Sequence, residues 1–192
     1  MSKKTILAFV GFVFLLGFNL AHAEVIINEV AWMGTETSQY EEWIELKNNG
    51  SSDINLNGWK LYKSENRVLF SLSGTISAGE YYLICRTTAS VPNPLSGICN
   101  EKGAFGGSGL NNTNDTLKLE NENGVEQDFI NASSGWPAGD STTKQTMQKS
   151  QNGWITASPT PGAVNQGTNS ANDTPANANE EIINESNSNT NN

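Results

Sequence analysis

Glu29, Glu41, Glu42 and Glu45 crowd a short stretch of the chain, interleaved with Trp32 and Trp43. Two carboxylates roughly 5 to 9.5 Å apart can hydrolyse a glycosidic bond, one as acid and the other as nucleophile or base. That chemistry also needs a deep cleft, and a domain of this size has little material to build one. Alternation in EEWIELK sorts the acids further: Glu42 falls with Ile44 and Leu46, whereas Glu41 and Glu45 fall with Trp43 and Lys47. Glu42 therefore belongs at a sheet edge or beside a base. We read all four as structural, hydrogen-bonded or surface acids and assign no catalytic residue.

Two other groups suggest binding. Asn111, Asn112, Thr113, Asn114 and Asp115 offer oxygen ligands, and calcium is the one cofactor they would admit. Their spacing fits no EF-hand, and one carboxylate gives little affinity. Asn111, Asn114 and Asp115 are thus candidate ligands, set against an Asx-rich turn before a strand. The second group is aromatic. Trp43 lies on the parity opposite to Ile44 and Leu46, and Trp136 precedes Pro137 in a glycine-containing loop. Both are candidates for a ligand or partner surface, while Trp32, Trp59 and Trp154 are expected in the core. A coplanar exposed pair drawn from Trp43, Trp136, Tyr40 and Tyr62 would mark a sugar-stacking platform.

The start of the chain removes other chemistries. Lys3 and Lys4 precede an uncharged apolar run from Ile6 to Phe18, and Ala21-His22-Ala23 is a small-x-small cleavage pattern. Residues 1–23 read as a signal peptide, with the mature chain starting at Glu24. The run is shorter than the roughly 20 residues a membrane span needs. His22 is the one histidine, so the mature chain would hold none. That excludes Ser-His-Asp and Cys-His catalysis and histidine-ligated zinc. Loss of Lys3 and Lys4 leaves nine of the 11 basic residues against 20 acidic ones. The remaining bases are scattered, which argues against nucleic acid. Cys85 and Cys99, the only cysteines, are expected to pair in an oxidising compartment.

These residues must be held by β-strands. Short alternating segments separated by Asn-, Gly- and Ser-rich turns predict an all-β domain over residues 24–166, built as a two-sheet antiparallel sandwich. The expected strands beyond Tyr62 are 67–72, 80–86, 116–121, 125–131, 144–148 and 153–157. Asn123-Gly124 predicts a hairpin. The parity change from Ile54/Leu56 to Trp59/Leu61 predicts a bulge or kink at Asn57-Gly58. Residues 167–192 hold no aromatic residue and are rich in Asn, Ser and Thr, so they read as a disordered acidic tail.

INEVAWMG, EEWIEL and INLNGWKL, each followed by turn residues, resemble the opening of the lamin tail domain. GEYYLI, NDTLKL, TMQ and GWITASPTPGAVN are similar to its later strands and exit, with Lys149 near the place where the family commonly carries an arginine-containing stretch. The resemblance covers about Glu24 to Asn165. It implies an immunoglobulin-like sandwich with no attributed catalytic residues. The expected function is a secreted, non-enzymatic module for cell-surface attachment or protein interaction, whose partner is a protein or a cell-surface polymer. The alternative is a carbohydrate-binding accessory domain, with or without calcium.

Intact mass of the exported protein should correspond to a chain beginning at Glu24. Cys85 and Cys99 should react with an alkylating agent only after reduction; alkylation of both without reductant would exclude the disulfide.

Overall fold

The computed structural model describes residues 23–64, 66–87 and 94–168. The expected signal peptide, up to His22, and the expected tail, beyond Thr168, lie outside the described residues. Twelve strands occur among those described: β1 (Val25–Ala31), β2 (Trp43–Asn48), β3 (Ile54–Asn55), β4 (Lys60–Lys63), β5 (Arg67–Ser71), β6 (Thr75–Ile76), β7 (Tyr81–Arg86), β8 (Glu101–Gly103), β9 (Asp115–Glu120), β10 (Glu126–Ala132), β11 (Thr146–Ser150) and β12 (Gly153–Ala157). They form a six-stranded sheet in the order β12-β11-β1-β2-β7-β8, a four-stranded sheet β10-β9-β4-β5, and a ribbon β3-β6. This is an all-β, immunoglobulin-like sandwich. Its pairings are antiparallel except β7 with β8, which run parallel.

The core follows from strand parity. Ile27 pairs with Leu46 and Val30 with Ile44. Leu46 in turn sits opposite Tyr82, and Ile44 opposite Ile84. These residues are all buried, as are Leu61, Leu117, Leu119 and Ile130 of the four-stranded sheet. Ile27 and Val30 are three residues apart, yet both share the core face. The register shift between Ile27 and Glu29 makes this possible, because an inserted residue reverses the parity beyond it.

The kink expected at Asn57-Gly58 is a turn that carries the chain out of the β3-β6 ribbon into β4. Gly58 has φ 88°, a conformation that favours glycine. The Trp59 N–H closes the turn on the Leu56 carbonyl at 3.0 Å, so Leu56 and Trp59 are both buried despite their odd spacing. At Asn123-Gly124 the β9–β10 hairpin is held by Asn121, whose side chain accepts the N–H groups of Asn123 and Val125.

Three expectations need correction. The alternation in EEWIELK is that of a strand with one face open to solvent, yet both faces of β2 are covered, and five of its residues, Trp43 through Leu46 together with Asn48, are buried. Trp154 is not fully buried but packs half-buried against the edge of the core from β12, with the Lys149 ammonium 5.3 Å from its ring centre. The strand expected over 144–148 runs from Thr146 to Ser150, since Lys144 has positive φ. The three-residue β8 and two-residue β6 carry too little alternation to be read from sequence.

Cys85 and Cys99 form a disulfide with Cα atoms 5.9 Å apart. It ties β7 to the turn that follows Pro94–Gly97. Replacing both with serine should lower the unfolding free energy by about 3 kcal/mol, from the loop-closure term. Denaturant titration of the oxidised parent and the double variant measures this directly.

Candidate functional site

The outer face of the six-stranded sheet is the unexpected part of the molecule. The β1–β2 register places Glu29 beside Glu45 and Ala31 beside Trp43. Both glutamates are fully buried, although this face points away from the sandwich core. A C-terminal strap, residues 158–168, covers them. The Thr160 N–H and hydroxyl donate to Glu29 at 3.1 and 2.7 Å. Gln148 and the Thr146 hydroxyl donate to Glu29 from β11. Glu45 accepts the Gly162 N–H at 2.6 Å and Asn28 Nδ2 at 2.8 Å. Asn165 closes the network by donating to the Asn28 and Lys149 carbonyls, both at 2.9 Å.

Burial dominates the electrostatics here. It pushes Glu45 up to about 7, with the charge of Glu29 adding to the rise, against the lowering effect of the Gly162 and Asn28 hydrogen bonds. Burial raises Glu29 as well. A raised carboxyl beside a second one is the electronic pattern of a general acid. Access is what this pair lacks, because every carboxylate oxygen of the two holds a donor from the protein and none faces a cleft.

Glu42 has its base. It meets Arg86 at 2.7 Å and accepts the Leu110 N–H at 3.0 Å. Burial still raises it to about 7, with Arg86 working in the opposite direction. Glu41 accepts the Thr35 hydroxyl. Around Glu42 a set of charges clamps the glycine-rich segment 105–114. Buried Lys63 donates to Ser108 Oγ and the Gly109 carbonyl, and Arg67 donates to the Gly106 carbonyl. A Cβ at Gly109, whose φ is 70°, would fall 2.2 Å from both Arg86 Nη1 and Glu42 Oε2.

Asp115, the carboxylate of the candidate calcium loop, is buried and accepts from Ser64 N–H and Oγ, Thr116 N–H and Asn111 N–H. It organises the turn before β9. Asn111 and Asn114 are exposed at its edge. No group of three or more His, Cys, Asp or Glu side chains suited to a metal occurs among the described residues.

The tryptophans depart from expectation. Trp43 is only 1 % exposed, so it is not an outward surface. Its parity is as expected, but the face it occupies is covered. Ala31 and Cys85 flank it in register. Trp43 shares the lining of a groove of about 420 Å³ with Leu95, Thr37, Lys144, Pro159 and Pro161. Trp136 is half-buried and stacks on Trp32, ring centres 6.1 Å apart and planes 3° from parallel. Its Nε1 donates to the Asn111 carbonyl at 2.8 Å. The coplanar pair is therefore Trp32–Trp136, which joins two loops, and not one drawn from Trp43, Tyr40 and Tyr62. Sequence reasoning missed the strap donors Thr160, Gly162 and Asn165; the Pro159-x-Pro161-Gly162 pattern, which favours extended chain, was the available signal.

The fold is thus an immunoglobulin-like sandwich whose buried acids Glu29, Glu42 and Glu45 are bonded to its own strands, loops and strap. Comparison with family models gives the particular family: residues 19–134 match the Lamin Tail Domain. The chain belongs to the lamin tail domain family. No curated protein matches it. The matched stretch ends after β10, although β11 pairs with β1 and completes the same sheet.

The raised pKa of Glu45 sets a pH dependence. The folded domain holds a proton that the unfolded chain releases. This contribution is fully present below the ordinary value of 4.5 and is lost as pH rises through about 7. Unfolding free energy should therefore fall between pH 4.5 and 7.5, and Glu45→Gln should flatten the slope; a slope unchanged in the variant would remove Glu45 as its source.

Proposed function

We propose that this lamin tail domain is an extracytoplasmic, non-enzymatic module that attaches to a protein or a cell-surface polymer. The observation that carries the reading is the state of its acids. Glu29, Glu42 and Glu45, the carboxylates nearest to catalytic use, are buried and bonded to loop and strap groups. Family membership supports the same reading, since the lamin tail domain is a non-catalytic fold family. The Cys85–Cys99 disulfide fits an oxidising compartment outside the cytoplasm. Among the described residues no helix is long and apolar enough to cross a membrane.

Cell fractionation of the producing organism is the test. The processed chain should appear in the extracytoplasmic or cell-surface fraction, and purified mature protein should show no glycoside hydrolase activity that Glu42→Gln abolishes. Recovery of the unprocessed chain from the cytoplasm, or a hydrolytic activity lost in Glu42→Gln, would overturn the reading.

A further inference from the structure

The outermost strand of a sheet presents backbone N–H and C=O groups that no neighbour uses, and proteins ordinarily guard it with charge, proline, a bulge or very short length. Three of the four edges in the two main sheets are guarded in this way. The β8 edge has three residues and carries Glu101 and Lys102. The β10 edge carries Glu126 and Asp128, with a register shift between them. The β5 edge begins with Arg67, which donates to the Gly106 carbonyl, and its pairing with β4 skips Leu69. None of these devices occurs in β12. It reads Gly153-Trp154-Ile155-Thr156-Ala157, five uncharged residues in unbroken register with β11. It also lies within residues 150–172, which contain no Asp, Glu, Lys or Arg in a chain of net charge −9.

The β11–β12 hairpin fixes which groups are free. Its two-residue turn, Gln151-Asn152, makes Ser150 and Gly153 a hydrogen-bonded pair. Bonded and non-bonded pairs alternate along an antiparallel ladder, so Gly153, Ile155 and Ala157 turn their backbone groups to β11. Trp154 and Thr156 turn theirs outward, where these groups have no partner among the described residues. The Gly139 N–H donates to the Thr156 side-chain oxygen at 2.8 Å, not to its backbone. Gly153 and Thr156 are exposed, and Trp154 and Ile155 are half-buried. The two outward residues flank Ile155 symmetrically. A second β12 laid antiparallel about Ile155 therefore sets Trp154 opposite the second copy's Thr156, and each such pair exchanges two hydrogen bonds. Ile155 meets its own counterpart. No like charges face one another across this edge, so the repulsion between two acidic copies is least there. Residues 169–192 of the same chain suit the edge less well, because they are rich in Asn, a type depleted in strands. We propose that β12 is a self-association edge, where two copies of this chain join their six-stranded sheets through Trp154 and Thr156. The contact is separate from the attachment reading. Five residues make a small interface, so the pairing is weak and transient.

The test uses ¹⁵N-labelled mature protein with its backbone amides assigned. Concentrations from about 20 μM to about 1 mM bracket a weak contact. Sedimentation should show a mass that rises toward the dimer across this range. Over the same range the Trp154 and Thr156 amide peaks should shift and their exchange with solvent should slow. The Ile155 amide, bonded to β11, should stay protected throughout. Thr156→Pro removes one outward N–H from each copy, and proline is tolerated at such positions of an edge strand. It should weaken association about tenfold or more, from the two bonds lost. Ile155→Lys sets two like charges opposite one another and should abolish association. Amide spectra of both variants report whether the fold is intact. A monomer at every concentration, association with the Trp154 and Thr156 amides unmoved, or unchanged association in both folded variants overturns the proposal. Slow exchange at Trp154 and Thr156 that does not vary with concentration would put a segment of the same chain on the edge, and would also overturn it.

Discussion

Two carboxylates side by side in the dry outer layer of a sheet must be given donors, protons, or both. Glu29 and Glu45 sit in register on adjacent strands and are fully buried. An uncompensated buried charge costs several kcal/mol, and a like charge beside it adds to the penalty. The chain meets this by laying residues 158–168 across the sheet, so that Thr160 and Gly162 present backbone N–H groups to the two acids. The same strap brings Pro159 and Pro161 next to Trp43, so the cover over the acids also closes the face that holds the tryptophan. The hidden outer face and the raised glutamate pKa values thus have one origin.

A second clamp works at the opposite edge of β2. Residues 105–114 contain only a short 3-10 turn and cannot satisfy their own backbone groups through a ladder. Charged side chains from three elements do it instead: Glu42 for the Leu110 N–H, Lys63 for the Gly109 carbonyl, and Asp115 for the Asn111 N–H. This explains why a lysine stands on the inward parity of β4, where Leu61 would lead one to expect an apolar residue. It also explains why Asp115 has no free oxygen to offer a cation.

Much of the fold was legible because a strand writes its faces into alternate residues. The kink at Asn57-Gly58, the hairpin at Asn123-Gly124 and the limits of β12 could all be read this way. The base beside Glu42 was anticipated for the same reason. Alternation names a face but not what lies over it. Trp43 was assigned the correct face, and that face proved to be roofed by residues more than a hundred positions later. The site was therefore less legible than the fold. Trp59 was rightly placed in the core, yet nothing in its neighbours announces that its indole N–H goes without a protein acceptor.

The reach of the strap has a kinetic side. Glu29 is bonded to Gln148 across 119 positions and to Thr160 across 131. Pairings so distant in sequence form slowly, because the loop they close must be ordered before any contact is gained. The β1 strand therefore cannot finish its hydrogen bonding until nearly the whole domain has left the ribosome. Until then its apolar edge and its Glu29, with Glu45 of β2 beside it, lie open to solvent, and a chaperone or a neighbouring nascent chain meets a sheet that is still waiting for its last strands.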